Sequence, residues 1–95
     1  MNRAELLATI TEAGPLRYTP AGLPALDLVL EHESDLEEAG QPRKVRARIR
    51  AVAFGATAER IARQAVGSQW QFTGFLATPG NSQRLVLHIQ EFSST

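Results

Sequence analysis

Ninety-five residues, 43% of them hydrophobic and 21% charged, suffice for one modest core but not for two independent ones, and they exclude a disordered chain held open by self-repulsion. Ten Lys and Arg balance ten Asp and Glu, and no cysteine is present, so disulfides, thiolate metal sites and a cysteine nucleophile are excluded. The first fourteen residues carry Glu5 and Thr9 within their apolar part, which argues against a secretory signal; nothing later approaches a membrane span, and the cytoplasm is the expected compartment.

"AELLATITEA" (4–13) alternates as a first strand, with Leu6, Ala8 and Ile10 on one face and Leu7, Thr9 and Thr11 on the other. "GPLRYTPAGLP" (14–24) holds three prolines and two glycines in eleven residues, which forces turns. "ALDLVLEHES" (25–34) reads as a second strand with Leu26, Leu28 and Leu30 inward and Asp27, Val29, Glu31 and Glu33 outward. "DLEEAGQP" (35–42) reads as a polar loop closed by Gly40 and Pro42.

The third strand, "KVRARIRAVAF" (44–54), has the strictest alternation in the chain. Val45, Ala47, Ile49, Ala51 and Ala53 face inward, and Lys44, Arg46, Arg48 and Arg50 form an outward row spaced by about 6.8 Å, twice the strand rise. In "ATAERIARQAVG" (56–67), Ala58, Ile61, Ala62, Ala65 and Val66 fall at helical spacing, with Thr57 as N-cap and Gly67 as terminator. "SQWQFTGFLA" (68–77) is a fourth strand in which Gly74 marks a bulge or a close backbone approach. After the turn-rich "TPGNSQ" (78–83), "RLVLHIQEF" (84–92) is a fifth strand, with apolar residues on both faces that ask for more cover than a small barrel supplies. Three strands, one helix and two strands fit an all-β, five-stranded Greek-key barrel of the OB type over 1–95 as a single domain; a split sheet with the helix on one face is the alternative.

Neutrality conceals a separation of sign. Residues 27–38 hold six acids and no Lys or Arg, whereas residues 43–63 hold seven cations against Glu59 alone. A face so charged steers toward a polyanion whatever the net charge; the other reading is a solvated strand neutralised by neighbouring acids. Enzyme signatures are missing: the glycines are dispersed, His32 and His88 belong to no ligand pair, and Glu31 with Glu33 reads as an acidic strand face that pairs with arginines, so neither an enzyme nor a metal or cofactor is expected. Single-strand binding needs cations that track phosphates and aromatics that stack on bases. Lys44, Arg46, Arg48 and Arg50 supply the cations, with Arg43 and Arg84 at the neighbouring loops; Phe54, Phe75 and Tyr18 are candidate stacking rings, and Trp70 and Phe72 belong to the core.

"PLR" (15–17) with "PAGLP" (20–24), "LVLEHES" (28–34), "EEAG" (37–40) followed by Arg43, "GF" (74–75) and "LVLHIQEF" (85–92) together resemble the primosomal replication protein N (PriB) family of OB-fold single-stranded DNA-binding proteins. The resemblance implies a homodimeric, non-enzymatic accessory of the replication-restart primosome. It would bind single-stranded DNA, contact and stimulate the PriA helicase, and meet a DnaT-type loader and a single-stranded DNA-binding protein. Firm binders of the family carry an aromatic after "EEAG" and another early in the third strand, where this chain has Gln41 and Arg46. Their lysine-rich last loop is here "TPGNSQR", with only Arg84, so weaker DNA binding through Arg43, Lys44, Arg46, Arg48, Arg50, Phe54 and Arg84 is implied. Two other readings stay open: an adaptor whose arginine row docks an acidic protein surface, and an RNA-binding OB domain.

Overall fold

The computed structural model describes residues 1–94. Its elements are β1 (Ala4–Ala13), a two-residue β2 (Arg17–Tyr18), β3 (Pro24–Glu38), β4 (Gln41–Phe54), the helix α1 (Gly55–Ala62), β5 (Gln69–Ala77) and β6 (Val86–Ser93). A bulge between Ile10 and Glu12 bends β1, so its first half, Ala4–Thr9, pairs with β5 and its second half pairs with β3. With β5–β6 and β3–β4 antiparallel and β4–β6 parallel, five strands close into a barrel, and β2 adds to the outside of β3. This is the OB-type barrel expected from the element order, with its helix between the third and fourth barrel strands.

Alternation places the core. Ile10, Leu26, Leu30, Phe72 and Leu87 point into the barrel and are almost completely buried, and Ala58 and Ile61 of α1 close one end. Each large side chain of this set stabilises the fold by roughly 1.5–3 kcal/mol relative to leaving it in water. Trp70 is half-buried at the margin, its Nε1–H donating to the Ser68 hydroxyl at 2.8 Å and its ring meeting Phe92 edge to face.

The largest departure from the sequence reading is the segment 35–42. In place of a polar loop, β3 and β4 continue past the barrel as a paired arm, from Leu30 opposite Ile49 to Glu38 opposite Gln41. The turn is only Ala39–Gly40, both with positive φ (52° and 76°), the backbone of a two-residue hairpin whose twist suits its strands. Acids and bases in register, Glu33 with Arg46 and Asp35 with Lys44, let a polar segment stay extended. On the arm Val45 and Ala47 are half-buried and do not enter the core. His32 ties the arm's root to β1, Nδ1–H donating to the Leu7 carbonyl at 2.6 Å.

The helix is also shorter than its periodicity suggests. It stops at Ala62, Ala62, Ala65 and Val66 are exposed, and neither Thr57 nor Gly67 acts as a cap. The Thr57 hydroxyl instead donates to the Gln90 carbonyl at 3.3 Å. After Arg63 and Gln64 bond back to the helix, β1 claims the backbone: Gly67 N–H donates to the Ile10 carbonyl at 2.7 Å and Ile10 N–H to the Ser68 carbonyl at 3.0 Å. Two long-range bonds at the bulge outweigh another turn of helix.

Candidate nucleic-acid interface

Pleating puts Lys44, Arg46, Arg48 and Arg50 on one solvent-facing side of β4, all exposed. The same side of β3 carries Glu31 and Glu33, and their register sets the electrostatics. Glu33 sits opposite Arg46 and accepts from Lys44 (3.1 Å) as well as lying 3.7 Å from Arg46; Glu31, opposite Arg48, lies 3.6 Å from it. Glu12, brought in from β1 beyond the bulge, takes the other side of the Arg48 guanidinium. Arg43, nearer the tip, pairs with Glu38. The Lys44 ammonium, with help from Arg46, holds the Glu33 carboxyl below the ordinary glutamate range.

Arg50 breaks this pattern. It faces Val29 across the pair and makes no ion pair among the described residues. It lines an open groove of about 570 Å³ together with Glu12, Gly14, Asp27, Arg48 and Val86, so the groove runs from the loop after β1 to the start of β6 across the middle of β3 and β4. A second groove, about 680 Å³, continues along the arm past Arg48 and Arg46. Arg84, exposed on the loop before β6, lies two residues from the groove-lining Val86 and makes no ion pair among the described residues. Phe54, 38% exposed, ends β4 with its ring stacked against His88. The arrangement thus brings Arg48, Arg50 and Val86 together, leaves Arg43 and Lys44 out on the arm, and sets Phe54 two pleats beyond Arg50.

Some participants had no local signal. Glu12 reaches Arg48 only because the β1 bulge turns it onto this face. Arg17 of β2 forms a two-point hydrogen bond with Asp27 (2.9 and 3.2 Å) at the groove's edge, which raises its already high pKa.

Exposed guanidinium groups spaced along a strand beside a groove can each exchange a carboxylate for a phosphate, since exposed pairs are weak and charged N–H to phosphate bonds are strong. A closed five-stranded barrel presenting such a face on its second and third strands, between its first and last loops, is an OB fold of the single-strand-binding class. A family model described as another single-strand binding protein family matches residues 2–91. The chain is 48% identical over 92 residues to the replication restart protein PriB of Bordetella pertussis, covering 96% of this chain and 86% of that one. It is 40% identical over 91 residues to PriB of Nitrosomonas europaea, covering 95% and 84%. The solved PriB of Ralstonia solanacearum superposes with a TM-score of 0.90 at 35% identity over 99% of this chain and 97% of that one. The single-stranded DNA binding protein of Thermus aquaticus gives a TM-score of 0.79 at 26% identity, all of this chain matching half of it. The chain belongs to the PriB family of replication restart proteins.

Proposed function

We propose that this chain, acting as one OB-fold domain in the cytoplasm, binds single-stranded DNA weakly through the β3–β4 face and stimulates the PriA helicase at stalled forks. The observation that carries the reading is Arg50: a cation without a carboxylate partner among the described residues, in a groove bounded by the loops that OB folds use for ligands. Phosphate contact there gives affinity without sequence choice. Lys44, Arg46 and Arg48 add to it as their carboxylates are exchanged for phosphates, with Arg43 and Arg84 at the two ends. The protein works as a homodimer, handing DNA on to a DnaT-type loader and meeting single-stranded DNA-binding protein at the fork. Apart from the His32 contact at the Leu7 carbonyl, the second edge of β1 over Ala4–Ala8 pairs with no strand among the described residues and, with Leu7 exposed beside it, supports self-pairing.

The adaptor reading draws on a specific observation too: the row already accepts carboxylates from Glu12, Glu31 and Glu33, so acidic side chains of a partner would suit it. Unwinding of a forked duplex by PriA separates the two. Adding the wild-type chain is expected to raise the unwound fraction. Arg46→Ala/Arg48→Ala/Arg50→Ala is expected to lose that effect and DNA affinity while still co-sedimenting with PriA. A variant that keeps oligo-dT affinity and loses PriA would replace this reading by the adaptor.

A further inference from the structure

Outside the barrel, three rings form a ladder. Phe75 and His88 are direct partners in the β5–β6 register, and their rings stack 4.8 Å apart at 14°, the spacing of neighbouring strands. Val52 lies beside His88 on β4 and is buried beneath the ladder; Phe54, one pleat further, leans over so that its ring is 6.0 Å from His88 at 30°. None of the three rings belongs to the core cluster, which takes Ala51, Ala53, Leu87 and Ile89 from the opposite face of the same strands. Phe54 is 38% exposed, and Phe75 and His88 are half-buried.

The ladder continues the basic row. Arg48, Arg50, Val52 and Phe54 occupy successive outward positions of β4, so the exposed ring lies about 14 Å beyond Arg50. Resting on the single-stranded DNA reading above, we infer that the Phe54–His88–Phe75 ladder is a base-stacking platform: a strand whose phosphate is held by Arg50 lays a following base against the Phe54 ring, which His88 and Phe75 hold upright. The platform supplies in another place the aromatic surface that the hairpin lacks at Gln41 and Arg46. Stacking is tolerant of base identity, as every base has a π-face. Both continuity with the free arginine and the sign of its charge select a nucleic acid strand over a second copy of the chain as the occupant.

Oligo-dT anisotropy over a salt series tests this with Phe54→Leu, Phe54→Trp and Arg50→Ala. Phe54→Leu keeps an apolar cover over Val52 but removes the ring; affinity is expected to fall about 5- to 150-fold with the salt slope unchanged, the signature of a lost stack. Arg50→Ala is expected to reduce the slope by about 0.7. Phe54→Trp is expected to bind at least as tightly, with its added indole emission quenched by the oligonucleotide; this arm stands even where Phe54→Leu fails to fold. Binding that needs Arg50 but is indifferent to Phe54, or an unquenched indole, overturns the platform alone. A change in oligomeric state with unaltered DNA affinity assigns the ladder to a second copy and overturns it as well. No binding by the wild type overturns the DNA reading and the platform together.

Discussion

Gly74→Ala is expected to destabilise the barrel by at least about 3 kcal/mol, at the upper end of what overpacking costs, and so to lower the melting temperature by about 12–24 °C. At the bulge between Thr73 and Gly74, β5 is pressed against β6: a Cβ on Gly74 would lie 1.8 Å from the His88 carbonyl oxygen, 2.8 Å from its carbon and 3.2 Å from Ile89 Cα. All three are backbone atoms, so no rotamer change relieves the clash. The strands must separate, and in a closed barrel one strand cannot move without disturbing the pairing on its other edge. The same separation parts Phe75 from His88, so the aromatic ladder would be lost along with stability. Gly80→Ala, where nothing lies within 4 Å, is the control and is expected to melt as wild type. Equal melting of the two variants would show that the β5–β6 approach is not the constraint described.

The second large effect is a gain. Replacing Glu12, Glu31 and Glu33 together by glutamine is expected to tighten oligo-dT binding roughly tenfold or more at low salt, because each exposed ion pair competes by a factor of a few at most and removing these three carboxylates breaks four pairs at once. The enhancement should shrink as salt screens the row. Acidification is a poor substitute for the mutation. With its pKa lowered by Lys44, Glu33 stays ionised below the ordinary glutamate value of about 4.3. Its small contribution to stability is fully present above that value and is lost as pH falls through the lower folded one. Anisotropy titrations of the triple variant beside wild type check the gain; unchanged or weaker binding would mean that these carboxylates do not compete with phosphate.

What could be read without coordinates followed from periodicity. The strict alternation of residues 44–54 gave both the inward Ala51 and Ala53 and the outward arginine row, and Gly74 signalled a bulge or a close backbone approach, both of which β5 shows against β6. The arm resembles a loop in sequence because residues 35–42 are solvated on both faces, which erases the apolar alternation that marks a half-buried strand. Its stability lies in cross-strand charge register, which is visible only once the partner strand and its alignment are known. The helix reads too long for a related reason: Ala65 and Val66 have helical spacing, but Ile10, over fifty residues earlier, takes the bonds of the Gly67 N–H and the Ser68 carbonyl that follow them. In the site, pairing of Glu31 and Glu33 with the arginines followed from facing parity. Glu12 reaches Arg48 through a bulge, and His88 enters its stack through β5–β6 register; no local pattern encodes either.

The most direct test is oligo-dT anisotropy over a salt series for wild type and for Arg46→Ala/Arg48→Ala/Arg50→Ala. The expected result is measurable binding by wild type and, in the variant, loss of affinity together with about two units of the log–log salt slope, about 0.7 for each phosphate contact removed. Equal affinity and slope in the two proteins would contradict the assignment of the β4 row as the DNA-binding face.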